Sequence, residues 1–263
     1  NEKKQIVKIE KQVADHQLKI LVVEDNTDFR HFMVDFLSHN YQIMAASNGR
    51  EGLDMMKDYS PDLIISDVMM PLVDGFELCR AVKTNLKFSH IPIILLTAKV
   101  NDESRVIGYK SGADSYITKP FNMDVLLARI KQLIEQREER KNSFNKDINV
   151  NPEDITISPI DEKFIKKAIE VVEKNINNSE YSVVTFSSDM AMDRSNLYRK
   201  MQSLVGKSPL EFIRSMRMKR AAQLLKTGKY SIIEVSVMVG YNSTRIFSQN
   251  FKETFGVIPS QYK

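Results

Sequence analysis

Asp62-Leu-Ile-Ile-Ser-Asp67 is a short apolar run that two polar residues close. Four further apolar runs lie at 20–23, 43–46, 93–96 and 116–117, and amphipathic stretches lie near 27–39, 48–58, 75–86, 102–111 and 122–137. Short strands that alternate with helices are typical of βαβ units and of a parallel sheet covered on both faces. The sequence therefore predicts a doubly wound α/β domain with a five-stranded parallel sheet.

Polar residues follow the apolar runs at the points where the strands end. These residues are Glu24-Asp25, Ser66-Asp67, Thr97 and Thr118-Lys119. Because ligands of an open parallel sheet bind beyond the carboxyl ends of the strands, we expect these side chains to lie close together. Clustered carboxylates repel one another unless a cation lies among them, and their oxygens suit Mg²⁺. With a lysine and a hydroxyl to hold phosphoryl oxygens, the pattern predicts a Mg²⁺-assisted phosphoryl site with a carboxylate nucleophile.

Each of these residues also has a purely structural explanation. Asp25 or Asn26 could cap the first helix, and Asp67 could be a turn residue. Thr97 could be an ordinary strand residue, and Lys119 a solvated charge. Their combination at the ends of the expected strands favours the phosphoryl site over these separate explanations.

The composition excludes several classes of protein. Cys79 is the one cysteine among 263 residues, which excludes a disulfide framework and favours a reducing compartment. No apolar run approaches the ~20 residues of a membrane span, and residues 1–17 are too polar for a secretory signal. Residues 155–263 carry 17 Lys and Arg against 10 Asp and Glu, whereas 19–133 carry 13 against 15. This distribution indicates that only the C-terminal part contacts nucleic acid.

The chain changes character after the α/β domain. A charged and polar stretch at 138–158 has few apolar side chains and is typical of a linker, and the pattern beyond it is helical throughout. We therefore predict a lead-in helix or upstream linker at 1–18, the α/β domain at 19–137, the linker at 138–158 and an all-α domain at 159–263.

The all-α domain contains an internal repeat. Gly206-x-x-Pro209-x-x-Phe212 recurs 50 residues later as Gly256-x-x-Pro259-x-x-Tyr262. Upstream, Ala191-Met-Asp193 matches Gly240-Tyr-Asn242 at an offset of 49, so the second copy has one extra residue. A repeat of this length, built as short helix, turn and second helix, predicts two helix-turn-helix units joined by a long helix over 210–227.

A helix-turn-helix unit presents its second helix to the major groove of DNA, where exposed side chains read the base edges. The exposed positions that we expect to contact DNA are Arg194, Ser195, Asn196, Tyr198 and Arg199 in the first unit, and Ser243, Thr244, Arg245, Ser248 and Gln249 in the second. Arginine and glutamine suit bidentate contacts to guanine and adenine. The alternative for any single position is a solvated helix face.

Residues 19–135 resemble the receiver domain of bacterial two-component response regulators, which has a flavodoxin-like fold. The matching stretches are Ile20-Leu-Val-Val-Glu-Asp-Asn26, Asp62-Leu-Ile-Ile-Ser-Asp-Val-Met-Met-Pro-Leu-Val-Asp-Gly75, Leu96-Thr-Ala98, Gly112-Ala-Asp114 and Tyr116-Ile-Thr-Lys-Pro-Phe121. The resemblance implies that Asp67 accepts a phosphoryl group from a kinase phosphohistidine. It further implies a cis peptide at Lys119-Pro120.

The same resemblance implies roles for the other site residues. Asp25, Asp67 and the Met69 carbonyl would bind Mg²⁺, with Glu24 acting through water, and Glu24 stands where many relatives carry Asp. The residues that would contact the phosphoryl group or switch with it are Thr97, Lys119 and the aromatic Tyr116.

Residues 161–263 resemble the AraC-type DNA-binding domain. The matching stretches are Arg217-Met-Lys-Arg-Ala-Ala-Gln-Leu-Leu225, Val239-Gly-Tyr241 and Phe247-Ser-Gln-Asn-Phe-Lys252. The first unit departs from the family pattern at Ser187, where the family usually has Ala, and at Ala191, where it usually has the turn Gly. The resemblance assigns base-reading positions to Ser195, Tyr198 and Arg199, and to Thr244, Arg245 and Gln249.

Together these features predict a phosphorylation-controlled transcription factor rather than an enzyme. We expect its partners to be double-stranded DNA and a histidine kinase, with a homodimer formed through the receiver face at about 102–137. We expect a cytoplasmic location with no membrane contact from this segment. Because the chain begins at Asn1, we hypothesise that it is the C-terminal piece of a hybrid sensor kinase, whose parent could be anchored in the inner membrane.

Two other classes of function remain open at this point. An aspartyl-phosphate phosphatase needs a second acid two residues after the nucleophile, and Met69 at this position argues against turnover of external substrates. The helical half could alternatively bind a protein rather than DNA.

Overall fold

The computed structural model describes residues 18–98, 112–146, 152–154, 156 and 158–262, and the chain divides into two compact units, Asn1–Glu135 and Gln136–Lys263. The first unit contains the strands β1 (Lys19–Val23), β2 (Gln42–Ala46), β3 (Leu63–Asp67), β4 (Ile93–Thr97) and β5 (Ser115–Thr118). Its helices are α1 (Thr27–Ser38), α2 (Gly49–Asp58), α3 (Gly75–Thr84) and the first part of α4 (Met123–Lys146).

All five strands are parallel and lie in the order β2-β1-β3-β4-β5. Successive strand side chains point to opposite faces of a sheet, so each strand contributes to two cores. In β1, Leu21 and Val23 pack with α2 and α3, whereas Ile20 and Val22 pack with α1 and α4. The predicted doubly wound α/β fold is confirmed. The helix predicted near 102–111 and the lead-in helix lie outside the described residues.

The last helix of the first unit is longer than the sequence pattern predicted. We predicted a helix over 122–137, whereas α4 continues to Lys146. The added segment is rich in Glu, Arg and Lys, which are good helix formers, and its apolar residue Phe144 is 1% exposed in the core of the second unit. The ring of Phe144 stacks on that of Phe212 with the centroids 5.5 Å apart. Nine residues of the segment predicted as a linker are therefore helical.

The second unit is helical in its described part. It contains the end of α4, then α5 (Pro159–Lys174), α6 (Val183–Asp189), α7 (Arg194–Val205), α8 (Pro209–Lys226), α9 (Ile232–Met238) and α10 (Thr244–Phe255), with short 3-10 turns at Pro152–Asp154 and Pro259–Gln261. None of the helices in the described part of the chain is long and apolar enough to cross a membrane.

The helix caps confirm the internal repeat and locate its extra residue. Asp193 caps α7 and Ser243 caps α10, so these helices begin 50 residues apart. The preceding turn residues, Ala191 and Gly240, are 49 apart and both have positive φ angles, 52° and 77°. The additional residue of the second helix-turn-helix unit therefore lies between the turn and the N-cap of α10, at Asn242.

The two turn residues differ in the steric strain that a Cβ atom causes at each position. A left-handed backbone suits glycine, and a Cβ atom on Gly240 would lie 2.6 Å from the Ile176 carbonyl oxygen. Ala191 adopts the same backbone region with a Cβ atom and is exposed. The first helix-turn-helix unit therefore carries backbone strain that the second helix-turn-helix unit avoids.

We expect Ala191→Gly to raise the free energy of unfolding of the helical unit by about 0.5–1 kcal/mol, because it removes the Cβ penalty. Gly240→Ala, the reciprocal change at the matching turn, should lower the free energy of unfolding by more than about 1 kcal/mol. Urea unfolding of the full chain, followed by circular dichroism at the helical band, measures both. Equal effects of the two substitutions would contradict this reading of the turns.

Candidate functional site

An acidic cluster lies at the carboxyl edge of the sheet. Glu24 follows β1 and Asp67 ends β3, and these strands are neighbours with Val23 opposite Ser66. Glu24, Asp25 and Asp67 each place one carboxylate oxygen within 4.8 Å of the others. Glu24 and Asp67 are buried, whereas Asp25 is exposed to solvent. The arrangement thus has two buried carboxylates with one open side.

Lys119 supplies the positive charge of the cluster from the end of β5. Its Nζ lies 2.8 Å from Glu24 Oε2 and 3.2 Å from Asp67 Oδ2, and 4.6 Å from the centre of the Phe29 ring. The backbone N–H of Lys119 donates to the Thr97 carbonyl at 2.7 Å, which joins the ends of β4 and β5. The Lys119-Pro120 peptide is cis.

Charge repulsion and burial act together on Glu24. Burial raises the pKa of the Glu24 carboxyl, the hydrogen bond from Lys119 lowers this pKa, and the charge of Asp67 raises it, with a net increase. Burial therefore outweighs the contact with Lys119 in its effect on the pKa of Glu24. A bound cation would favour the ionised form of Glu24.

The loop after β3 folds tightly over Asp67. Asp67 Oδ1 accepts from the Val68 N–H at 2.8 Å, and the Gly75 N–H donates to the Val68 carbonyl at 3.0 Å. A Cβ atom on Gly75 would lie 2.2 Å from the Asp67 carbonyl oxygen, so only glycine fits there. Met69 lies in this loop with 73% of its surface exposed.

Two further predicted residues lie on the strands beside the cluster. Thr97 is the last residue of β4 and is half-buried, and Tyr116 is a half-buried residue of β5 that packs against the core beneath α2 and α3. The structure thus brings together Glu24, Asp25, Asp67 and Lys119, with Thr97 linked to Lys119 through the backbone.

Arg30 is a site residue that the sequence analysis missed. It lies one turn into α1, and its Nη1 donates to the carbonyl oxygens of Glu24 at 2.6 Å and Asp25 at 3.2 Å. Asn26, whose side chain accepts from the Phe29 N–H, caps the same helix. Arg30 and the cap hold the short loop that carries two of the three carboxylates. Because the contacts are to backbone oxygens, the hydrophobic pattern contains no signal for them.

An apolar wall faces the acidic cluster across a cleft of about 480 Å³. Besides the charged residues, the cleft is lined by Phe29, Phe32, Pro120, Phe121 and Met123. The ring of Phe32 is half exposed and stacks on Phe29 with the centroids 6.2 Å apart. The spacing of the two rings on α1 could have indicated this wall, but the sequence analysis did not use it.

The residues predicted to contact DNA lie on α7 and α10. Arg194, Ser195, Tyr198 and Arg199 are exposed on α7, and Arg245 and Gln249 are exposed on α10. Ser248 is half-buried on α10. These exposed side chains are the part of the predicted set that is accessible to a ligand.

Several predicted DNA-contact residues already have partners within the chain. Ser243 caps α10, and the Thr244 hydroxyl lies 3.4 Å from the Ser236 hydroxyl. Asn196 is half-buried and donates from its side chain to Asp193, the N-cap of α7. Gln249 Nε2 donates to Glu253 Oε1 at 3.0 Å. These contacts orient the side chains and would have to adjust if DNA bound.

Ile246 is an exposed α10 residue that the sequence analysis omitted. It is 56% exposed and lies 50 residues after Asn196, at the same distance from its N-cap. Counting from the caps rather than from the turn would have included it.

Two family models match the chain. The response regulator receiver domain matches residues 20–131, and the helix-turn-helix domain matches residues 186–263. The chain is similar to Response regulator ArlR of Staphylococcus aureus, with 34% identity over 167 residues that cover 63% of this chain and 70% of that protein.

The chain belongs to the response regulator family. It carries a receiver domain followed by a helix-turn-helix domain of the AraC type. This response regulator is also similar to Histidine kinase P4 of Formosa agariphila, with 42% identity over 93% of this chain and 18% of that protein. The chain spans less than a fifth of the length of the histidine kinases that it matches.

A solved receiver domain has a similar sequence. It belongs to a signal transduction histidine kinase from Syntrophus aciditrophicus, is 39% identical, and covers 44% of this chain and 89% of that one with a TM-score of 0.43.

We expect Asp67→Asn to raise the free energy of unfolding of the receiver domain by about 1 kcal/mol when divalent cations are removed, because it takes one of three neighbouring negative charges from the cluster. Thermal unfolding of the full chain in EDTA measures the change. Asp62→Asn, at the opposite end of β3, is the control and should have no effect of this kind. A lower unfolding temperature for Asp67→Asn would contradict the repulsion argument.

Proposed function

We propose that this response regulator is a transcription regulator whose DNA binding is controlled by phosphorylation of Asp67. The supporting observation is the cluster of three carboxylates with Lys119 at 2.8 and 3.2 Å from two of them. A receiver followed by a helix-turn-helix domain fits a regulator rather than an enzyme.

Asp67 is the nucleophile in this proposal. One carboxylate oxygen accepts the Val68 N–H, which leaves the second beside Lys119 and facing the cleft. That oxygen would attack the phosphorus of a phosphohistidine, and the P–N bond would break with its electron pair remaining on the ring nitrogen. A phosphohistidine protonated on its other ring nitrogen would then leave as neutral imidazole. Lys119 would hold a phosphoryl oxygen through a charge-assisted hydrogen bond, and the Thr97 hydroxyl would contact a second one.

The donor set of the cluster fits Mg²⁺, which prefers carboxylate, carbonyl and water oxygens. Asp25, Asp67 and the Met69 carbonyl would hold the ion, with Glu24 acting through water. When bound, the ion would neutralise charge that develops on the phosphoryl oxygens. The open side at Asp25 gives it access from solvent.

Phosphorylation would act through charge and through the end of the sheet. The new group adds negative charge and acceptor oxygens at Asp67, which would draw Thr97 toward it and allow Tyr116 to move inward. We propose that this change promotes a homodimer through the face at about 102–137, part of which lies outside the described residues. A dimer would place two DNA-binding domains on repeated half-sites.

The exposed side chains of α7 and α10 are the proposed base-reading surface. Two units joined by α8 suit successive major-groove faces of one duplex, roughly 34 Å apart. The excess of cations in the helical part would supply the electrostatic share of affinity.

The likeness to Histidine kinase P4 extends over both domains of this chain. We therefore propose that the receiver and the DNA-binding domain are the output part of a hybrid sensor kinase, with the phosphodonor histidine in the same polypeptide. The alternative is a phosphodonor histidine in a separate kinase. Phosphoryl transfer to this chain from purified kinase domains of the two kinds distinguishes the two proposals.

The phosphorylation test uses a small phosphodonor. Acetyl phosphate with Mg²⁺ should add one phosphoryl group to the intact chain, and EDTA should prevent the addition. Asp67→Asn should abolish it because the amide is not a nucleophile, whereas Asp62→Asn should retain it. Intact mass spectrometry measures the outcome, and labelling of Asp67→Asn at the wild-type level would refute the assignment.

The DNA test compares two substitutions that remove one positive charge each. Arg245→Ala should weaken binding to a selected site by about 5- to 100-fold and relax the preference at one base pair, if the guanidinium reads a base. Lys57→Ala, at an exposed receiver lysine paired with Asp54, should change affinity little. Mobility shifts at several salt concentrations measure both, and equal effects of the two substitutions would overturn the role of Arg245.

A further inference from the structure

The first helix-turn-helix unit contains a buried ion pair between its second helix and α5. Lys200 Nζ, on α7, lies 2.6 Å from Asp161 Oδ1, on the first turn of α5. Lys200 is 0% exposed and Asp161 is 2% exposed. The ammonium group also lies 5.1 Å from the centre of the Phe164 ring. Lys200 thus fastens the middle of α7 to the start of α5.

The carboxylate of this pair is itself held in place. Ser158, the N-cap of α5, donates from its hydroxyl to Asp161 Oδ2 at 2.8 Å, and the Asp161 N–H donates to the Ser158 hydroxyl at 3.1 Å. Both carboxylate oxygens are therefore engaged, and the position of Asp161 follows from the geometry of the helix terminus. Burial lowers the pKa of the Lys200 ammonium group, and the neighbouring Asp161 charge opposes this effect.

Stability alone is a weak reason for such a pair. Removing two charges from water is energetically costly. A protein in which an apolar pair of similar volume replaces a buried ion pair is often as stable or more stable. A buried ion pair differs from an apolar contact in its directionality, because only one arrangement of the two side chains satisfies both charges. The pair is therefore suited to fixing an orientation.

In the second helix-turn-helix unit, uncharged side chains hold the second helix, α10. Asn250 occupies the position 50 residues after Lys200 and donates to the Tyr241 hydroxyl at 3.1 Å. Its helix α10 is held by aromatic rings, with Phe247 5.8 Å from Phe251 and Phe251 5.2 Å from Tyr262. Among the described residues of α10 there is no ion pair of the Lys200 kind.

Fixing Lys200 also fixes what α7 exposes. Successive residues of a helix are rotated by about 100°, so the direction of the buried Lys200 side chain determines where Tyr198 and Arg199 point. A small rotation of α7 about its axis would displace these exposed side chains sideways along the surface. The aromatic packing of α10 would be unaffected.

We propose that Asp161 and Lys200 are positioning residues that set the rotation of α7 and thereby the base preference of the first helix-turn-helix unit. The proposal rests on the DNA binding proposed above. It assigns the two residues no contact with DNA, since both are buried.

The test uses the full chain with both charges replaced by apolar groups, Asp161→Leu/Lys200→Met. Sites are selected from random DNA with the wild type, and each base pair is then substituted singly. Base pairs where Arg199→Ala relaxes the preference are assigned to the first unit, and those where Gln249→Ala does so are assigned to the second. We expect the double variant to lose about tenfold discrimination at first-unit positions only.

Two controls separate positioning from folding. Met201→Leu, a nearly volume-conserving change at the neighbouring buried position, should leave discrimination at all positions unchanged. If Asp161→Leu/Lys200→Met fails to fold by circular dichroism, Asp161→Asn/Lys200→Met keeps the contacts of Ser158 and should show the same selective loss.

The outcomes are distinct. Wild-type discrimination in a folded double variant would overturn the proposal, because the pair would then serve stability alone. Equal losses at first- and second-unit positions would overturn it as well. A wild-type chain without any sequence preference would instead refute the proposed DNA binding.

Discussion

The crowding of three carboxylates at the carboxyl edge of the sheet, two of them buried, is the constraint on which the receiver site depends. The sheet order places the ends of β1 and β3 side by side, so that Glu24 and Asp67 are neighbours although far apart in sequence. Lys119 contacts both, and burial nevertheless raises the pKa of Glu24. Such a site fits the cation binding and the phosphorylation of Asp67 proposed above.

The residues around the cluster keep its carboxylates close together. Arg30 fixes the Glu24-Asp25 loop through its carbonyl oxygens, and the glycine at position 75 lets the following loop close over Asp67. Neither feature adds a charge to the cleft. Both raise the free energy needed for the carboxylates to move apart, which preserves the geometry in the absence of a ligand.

Most of the fold and of the acidic cluster could be predicted from the sequence, because both follow from periodicity. Alternating apolar runs and helices imply a parallel sheet, and polar residues at strand ends must then share one edge. The length of α4 could not be predicted in this way, since its extension is polar apart from Phe144, which packs in the core of the second unit. Arg30 was missed because it contacts backbone atoms, and Ile246 because the turn and the N-cap give offsets of 49 and 50.

The two helix-turn-helix units share a plan but depart from local rules to different degrees. In the first unit, Ala191 occupies a left-handed backbone position, and Asp161 and Lys200 are charges buried in the core. The second unit has glycine at the turn and aromatic packing around α10. Local sequences that disagree with their surroundings are typical of functional sites, where orientation matters more than stability. These departures in the first helix-turn-helix unit agree with the positioning role proposed for Asp161 and Lys200.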